Sequence, residues 1–198
     1  MRLVRLHLLV LATACTPAEQ RVKIFDAGWC ADPRNGTAIC IVDGDTFDLV
    51  GCERTVDEEG DDDRVRLLGI QAPEVADSEE DTECFGSEAS AYLARVIQGR
   101  SVRLEFDEEC YGYYRRTLAW VFISGEADDP LAEELSNFDE IGVNEDGSFD
   151  VLVNELMVRA GHARVYEAEE EGRYFERLQQ AELQAAHSDQ GLWAACDG

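Results

Sequence analysis

Carboxylates stand at two places in the chain where they could take part in chemistry. Asp43 and Asp45 flank a glycine in a tight-turn signal, and Glu74 closes the segment 66–74. Carboxylate oxygens are the ligands that a hard divalent cation prefers, so the aspartate pair could hold such an ion. Each feature also has a structural interpretation, which is a simple turn for the aspartates and an ion pair with Arg66 for Glu74. The acidic runs lack the D-x-D-x-D-G register of an EF-hand.

Arginines accompany these carboxylates. Arg66 opens the segment that Glu74 closes, and the adjacent Arg115 and Arg116 precede an apolar run. A guanidinium group can donate two parallel hydrogen bonds to phosphate, which suits the negative charge that grows on its oxygens during attack. A solvated surface position is the ordinary interpretation of such an arginine pair. Together, the carboxylates and arginines predict a phosphoryl-transfer site.

The elements that must position these residues are, in order, three strands, a helix, two strands and two helices. A D-G turn links the first two strands into a hairpin, and apolar residues recur at helical spacing in the helices. This order predicts an α+β fold, a five-stranded OB-type β-barrel with about three helices, one between strands three and four and two at the C-terminal end. The predicted strands are 37–42, 46–50, 64–70, 101–106 and 117–123, and the predicted helices are 87–98, 153–160 and 173–187.

In this order the segments resemble the staphylococcal nuclease (thermonuclease) family. The resemblance runs from about Thr37 to Trp193, and it includes the blocks IVDGDTFDL, VRLLGIQAPE, FGSEASAYLARVIQG, RTLAWV, VNELMVRAGHARV and GLW. It implies the OB-type barrel and a Ca²⁺-dependent endonuclease that hydrolyses phosphodiester bonds of DNA, RNA or both.

The resemblance also implies a set of calcium ligands. Asp45 matches the family's principal calcium carboxylate, Asp43 lies beside it, and Ala72 would offer its backbone carbonyl. Gln71 stands where the family commonly has a second calcium-binding aspartate. An amide oxygen can bind calcium, but one negative charge is lost, so the site is expected to be weak.

The remaining roles follow from the same resemblance. Glu74 matches the glutamate that positions or deprotonates the attacking water, and Arg66 and Arg116 match the two arginines that neutralise the phosphate. Before Arg116, the chain has Gly112 and Arg115 where the family usually has Asp and Gly. Arg115 therefore stays an alternative to Arg116 as the catalytic arginine.

The N-terminal residues have the pattern of an export signal. Residues 1–14 contain a basic start, an apolar run and small residues before Cys15, a pattern that resembles a bacterial lipobox. We expect Cys15 to become the lipidated N-terminus of an envelope lipoprotein, placed in the outer membrane or at the surface. One alternative is an ordinary signal peptide, which would give a periplasmic or secreted protein. The other alternative is a buried N-terminal strand. A tether and extension over 15–35 and the nuclease-like domain over 36–198 should follow, with an acidic insertion at about 124–150.

The number of cysteines also favours export. Six of the seven cysteines remain after Cys15, which fits three disulfides in an oxidising compartment. A local Cys30–Cys40 bridge is a first guess, and the absence of C-x-x-C argues against a zinc site. The candidate disulfide cysteines are Cys30, Cys40, Cys52, Cys84, Cys110 and Cys196.

The charge of the chain limits its partners. It has 43 acidic against 17 basic residues, a formal net charge of −26, which argues against a protein that coats DNA through phosphate contacts. No apolar run approaches the ~20 residues of a membrane-spanning helix, so we expect the protein to contact the membrane through a lipid anchor only. We also expect it to be a monomer. The alternative function is a weak or inactive nuclease-like barrel that serves as an envelope binding or scaffold lipoprotein, which Gln71 and the acidity favour.

Overall fold

A computed structural model gives the fold for most of the chain. The predictions for the signal segment, Cys15, Cys30 and Arg115 lie outside the described residues. The structure describes residues 34–52, 63–76, 78–107, 109–112, 116–138, 141–166 and 172–196.

Nine strands and five helices make up this part of the chain, which confirms a mixed α+β fold. The strands are β1 Arg34–Thr37, β2 Cys40–Ile41, β3 Thr46–Asp48, β4 Arg64–Leu67, β5 Ile70–Gln71, β6 Ser101–Glu105, β7 Thr117–Gly125, β8 Phe149–Leu152 and β9 Arg164–Val165. The helices are α1 Gly86–Ile97, α2 Ala132–Leu135, α3 Val153–Arg159, α4 Phe175–His187 and α5 Leu192–Ala195.

The main sheet does not close into the predicted barrel. Its strand order is β1-β6-β7-β4-β3-β2, with β8 added beside β7, and only β4 and β7 run parallel. The two end strands, β1 and β2, are consecutive in the chain rather than paired. Between them, the Ala38 amide donates to Arg100 on the β6 side, whereas the Ile39 amide donates to Asp48 on β3. The chain thus changes partner at this point, and continuity of the backbone replaces a closing ladder.

The predicted third strand is two strands in different sheets. β4 pairs with β3 and β7 in the main sheet, whereas β5 pairs with β9. Gly69 lies between them with φ +70°, and a Cβ there would approach Leu178 Cδ1 to 2.8 Å. This left-handed turn suits glycine and redirects the chain, so that Gln71 and the residues after it leave the main sheet.

The helices differ from prediction in number and, by one or two residues, in their boundaries. The three predicted helices are present as α1, α3 and α4, and α2 and α5 are two additional single-turn helices. α1 starts at Gly86, after Phe85 with φ 70°, one residue before the predicted range 87–98 begins. Gly86 is required there, because a Cβ would lie 2.5 Å from the Glu74 carbonyl oxygen.

The acidic segment 124–150 contains more structure than a loop. β7 extends to Gly125, and β8 pairs antiparallel with its end. α2 lies between them, and ion pairs from Arg95 to Glu134 and from Arg100 to Asp129 attach this segment to the rest of the domain. The strand signal of β8 is obscured because Asp150 interrupts an otherwise apolar run.

One buried polar side chain joins α3 to the main sheet. Asn154, on α3, is 0% exposed, and its Oδ1 accepts from the Val121 amide at 2.9 Å. Its Nδ2 donates to the Leu68 carbonyl at 2.9 Å. A single amide therefore joins α3 to β7 and to the end of β4, where unpaired backbone groups would otherwise be buried.

Two disulfides are described completely. They join Cys40 to Cys52 and Cys84 to Cys196, so the guess of a Cys30–Cys40 bridge is wrong. Cys110 is disulfide-bonded as well. Among the described residues, no helix has both the length and the apolar character that crossing a membrane requires.

Candidate active site

The aspartate turn places one carboxylate in the protein interior. The Asp45 amide donates to Asp43 Oδ1 at 3.0 Å, which forms the turn between β2 and β3. Gly44 is needed at its centre, since a Cβ there would lie 2.6 Å from Ala72 Cβ and 2.7 Å from Ala89 Cβ. The Asp45 carboxylate is only 3% exposed. Its Oδ2 accepts from the Ala72 amide at 2.7 Å, and its Oδ1 accepts from the Thr46 hydroxyl at 2.9 Å.

The electrostatic surroundings of Asp45 disfavour its charged form. Burial, with a smaller contribution from the neighbouring Asp43, raises the pKa of Asp45 to about 7, although the Arg66 guanidinium acts in the opposite direction. Two carboxylates this close repel each other, and a positive charge placed between them would relieve that repulsion.

Arg66 connects the aspartate turn to the segment after β5. It stands on β4 opposite Thr46, and its Nη1 forms an ion pair with Asp45 Oδ2. Its Nη2 donates to Gln71 Oε1 at 2.8 Å. The guanidinium group therefore divides its two terminal nitrogens between two different partners.

Gln71 joins three groups of the predicted site. While its Oε1 accepts from Arg66, its Nε2 donates to the Ala72 carbonyl and to Glu74 Oε1, both at 3.2 Å. The opposite amide orientation would turn all three contacts into donor–donor or acceptor–acceptor pairs, so the network decides the orientation. The Gln71 oxygen therefore faces the arginine, and its N–H groups face two of the oxygens that were expected to serve the metal and the water.

Glu74 is exposed on the loop that follows Pro73. Its backbone is held from both sides by Glu83, whose Oε2 accepts from the Glu74 amide at 2.9 Å. The Glu83 amide in turn donates to the Glu74 carbonyl at 3.0 Å. The side chain of Glu74 projects from a fixed backbone into the edge of the network.

Arg116 lies just before the start of β7, the strand that neighbours β4. It is half-buried and directly precedes Thr117, which pairs with Val65 in the parallel β4–β7 ladder. Its carbonyl accepts from the Gly112 amide at 3.0 Å. The ladder therefore sets Arg116 at the start of the strand that lies beside Arg66.

The candidate metal ligands fit calcium in their donor chemistry. Asp43, Asp45, Gln71 and Ala72 all offer oxygen, the donor that calcium takes. The described part of the chain contains no group of three or more His, Cys, Asp or Glu side chains that could hold a metal ion. Two carboxylates and two neutral oxygens would thus supply the protein's share of the ligands, which predicts a weak site.

A groove of about 730 Å³ adjoins the site on the side of Gln71. Arg164, the residue paired with Gln71 between β5 and β9, also lines it, and its guanidinium lies 4.5 Å from the centre of the Trp193 ring. The groove is lined by Gln71, Ala72, Pro73, Glu83, Cys84, Arg164, Val165, Tyr166, Glu182, Leu192, Trp193 and Cys196.

Two residues that contribute to the site are not recognisable from the sequence. Glu83 belongs to an acidic run that reads as a solvated loop, and nothing in its spacing separates it from the acids around it. Thr46 appears only as a strand residue, although its hydroxyl binds Asp45. Both are recognisable only once the chain brings Glu74 next to Glu83 and Thr46 next to Arg66.

Comparisons with known proteins identify the family of the chain. The family model described as staphylococcal nuclease homologue matches residues 64–195. A thermonuclease of Staphylococcus hyicus is 26% identical over 164 residues, which cover 83% of this chain and 78% of that protein. A thermonuclease of Staphylococcus intermedius is 35% identical over 86 residues, 43% of this chain and 47% of that protein. An uncharacterized endonuclease of Escherichia coli O157:H7 is 28% identical over 178 residues, 88% of each chain. Because the family model matches more than half of its length, the chain belongs to the family of staphylococcal nuclease homologues.

Proposed function

We propose that the protein is a calcium-dependent phosphodiesterase, an endonuclease that hydrolyses DNA, RNA or both. One observation carries the proposal: the hydrogen-bonded network from Asp45 through Arg66 and Gln71 to Glu74. It holds a buried carboxylate, an arginine with exchangeable partners and an exposed carboxylate within one connected site. The thermonuclease and endonuclease names of its relatives support the same class of reaction.

In this proposal, the arginines bind the scissile phosphate. Arg66 can exchange the neutral Gln71 oxygen for a phosphate oxygen, because a charge-assisted hydrogen bond is the stronger of the two. Arg116 would bind a second phosphate oxygen from the adjacent strand. Since negative charge accumulates on these oxygens during attack, cations already held in place lower the barrier to hydrolysis.

Glu74 would act on the attacking water. The water oxygen forms a bond to phosphorus, Glu74 accepts the proton that the water loses, and the bond from phosphorus to the leaving alkoxide breaks. The leaving oxygen takes a proton from solvent, which balances the reaction. Asp45, Asp43, Gln71 and the Ala72 carbonyl would hold Ca²⁺, which supplies positive charge to the phosphate oxygens when it is bound.

Degradation of plasmid DNA and of RNA by residues 15–198 tests the proposal. We expect hydrolysis with calcium and none with a chelator. Glu74→Gln should lower turnover by roughly 10²–10⁴-fold, whereas Glu80→Gln, an exposed acid of the same loop, should leave it unchanged. Equal rates from wild type and Glu74→Gln would mean that any activity comes from another site or protein.

Arg116 and Arg115 are separated by the same assay. Arg116→Ala should lower turnover by roughly 10²–10³-fold, and Arg115→Ala should have little effect. The reverse result would move the catalytic role to Arg115.

The scaffold function remains the second candidate, and the contacts of Gln71 favour it. In the structure, the Gln71 amide N–H groups bind the Ala72 carbonyl and Glu74, so the amide has to turn before its oxygen can serve a metal. A wild type without activity that becomes active through Gln71→Asp would support a binding module derived from a nuclease.

Export as a lipoprotein is part of the proposal. The disulfides support an oxidising compartment outside the cytoplasm. Mass spectrometry of protein from cell envelopes should find an acylated Cys15 at the N-terminus. An intact Met1, or cleavage at another residue, would contradict the lipid anchor.

A further inference from the structure

Glu83 forms a clamp on the backbone of Glu74, the proposed base, through one hydrogen bond of its side chain and one of its own amide. The Glu74 amide donates to Glu83 Oε2 at 2.9 Å, and the Glu83 amide donates to the Glu74 carbonyl at 3.0 Å. Gly86 lies against the same carbonyl, at a distance that leaves no room for a side chain. The backbone of Glu74 is therefore held by the residues that lead into α1.

The clamp would be weak without a further anchor. Both Glu74 and Glu83 are exposed, so water competes for their hydrogen bonds. A solvent-exposed hydrogen bond contributes little net stability, because water can replace either partner, so these bonds cannot by themselves keep a surface loop in one conformation.

The anchor comes from the C-terminal end of the domain. Cys84, the residue after Glu83, is bonded to Cys196, which follows α5. α5 is itself fixed, because Leu192 is buried and its amide donates to the Gly161 carbonyl at 2.8 Å. The backbones at Gly161 and Gly191 are in such close contact that neither position has space for a Cβ.

We infer that Glu83 is a positioning residue for Glu74, and that the Cys84–Cys196 disulfide holds Glu83 in place by tying it to the C-terminal segment. This inference rests on the proposed function, since it assigns Glu74 the role of base. The segment after α4 thereby helps to position Glu74, although none of its own groups takes part in the reaction.

Substitution of Glu83 tests the first half of the inference. Glu83→Ala should lower kcat about tenfold or more while KM changes less than twofold, because the substrate contacts stay and the base loses its position. Glu83→Gln should restore most of kcat, since its amide oxygen can still accept from the Glu74 amide. Glu79→Ala, an exposed acid in the same loop, is the control and should match wild type. If Glu83→Ala does not fold, Glu83→Asp, one methylene shorter, takes its place with the same expected result.

The second half is tested by removing the disulfide. The double variant Cys84→Ser/Cys196→Ser should also lose kcat, whereas Cys40→Ser/Cys52→Ser, which opens the other described bridge, should keep it. Wild-type kcat in Glu83→Ala would overturn the positioning role. Equal kcat in the two double variants would overturn the role of the Cys84–Cys196 anchor.

Hydrogen exchange at the Glu74 amide gives a readout that needs neither metal nor substrate. Exchange should be about tenfold faster or more in Glu83→Ala and in Cys84→Ser/Cys196→Ser, and close to wild type in Glu83→Gln. Unchanged exchange in the first two variants would overturn the clamp. If the wild type shows no hydrolysis at all, the proposed function fails, and the exchange measurement alone decides whether the clamp exists.

Discussion

Two arginine–aspartate pairs connect β4 to β3 and to the turn just before it, and we propose a catalytic role for only one of them. Arg64 and Asp48 stand directly opposite each other in the β3–β4 ladder. They form a bidentate pair, with Arg64 Nε on Asp48 Oδ1 at 2.7 Å and Nη2 on Oδ2 at 2.9 Å. Arg66 stands opposite Thr46 instead, so its aspartate partner, Asp45, is one residue out of register.

This offset explains why the two pairs can serve different purposes. A carboxylate directly opposite the arginine accepts two parallel hydrogen bonds from the guanidinium group, one on each oxygen. An offset carboxylate takes one nitrogen and leaves the other for Gln71, a neutral partner that phosphate can displace. The position of an aspartate relative to the ladder thus separates a closed, bidentate pair from the pair that we propose to act on phosphate.

Replacing each arginine by alanine should give the largest contrast. Arg66→Ala should lower turnover by roughly 10²–10³-fold, because a preorganised cation is lost from the phosphate site. Arg64→Ala should leave turnover within a few-fold and instead lower the free energy of unfolding by about 1–3 kcal/mol, since the buried Asp48 loses the guanidinium that solvates it. Initial rates at saturating calcium and urea unfolding measure the two effects. Similar losses of turnover in both variants would remove the distinction between the pairs.

Protonation of Asp45 should make the stability of the protein depend on pH. The folded-state pKa of Asp45 is about 7, above its ordinary value of 3.8, so between these values the folded state binds a proton that the unfolded state does not. The contribution of Asp45 to stability is therefore complete below about pH 4 and is lost as the pH rises to about 7.

Asp45→Asn should remove that loss, whose size is on the order of 2–4 kcal/mol for a shift of this extent. Urea unfolding of wild type, Asp45→Asn and the control Asp48→Asn at pH 5 and pH 8 measures it. As the pH rises from 5 to 8, the free energy of unfolding of wild type should fall relative to that of Asp45→Asn. If the gap stays constant, Asp45 titrates normally and its burial has little electrostatic cost.

Gln71→Asp should have the smallest effect, on calcium alone. A carboxylate at this position adds one negative charge to the ligands, and calcium affinity follows ligand charge. We expect the calcium concentration for half-maximal activity to fall by roughly 3- to 10-fold. Gln180→Asp adds the same charge on the exposed face of α4 and should not change the midpoint. If both substitutions lower it equally, the effect comes from the general acidity of the protein and not from a ligand.

The local part of the site could be predicted from the sequence. The Asp43–Asp45 turn, the alternation that leads into Arg66 and the approach to Glu74 are short patterns whose backbone geometry follows from neighbouring residues. The helices α1, α3 and α4 were predicted for the same reason, since their apolar residues repeat within a few turns. Family resemblance then supplied the roles that such patterns leave open.

What lay beyond these patterns depended on contacts between distant segments. β8 was missed because its stability comes from pairing with the end of β7, and the barrel prediction failed where the chain changes partner at Ala38 and Ile39. The bridge between Cys84 and Cys196 joins residues 112 positions apart, a distance over which spacing carries no information about pairing.

The sequence by itself determined which groups the site contains, because residue types and short spacings fix the chemistry available along one segment. The tertiary structure decided how those groups are used. It turned the Gln71 oxygen toward Arg66, placed Asp45 out of register with its arginine, and brought Glu83 against the backbone of Glu74. A hydrogen bond forms only when the donor–acceptor distance lies within a few tenths of an ångström of its preferred value. Between separate segments, only the folded chain sets that distance.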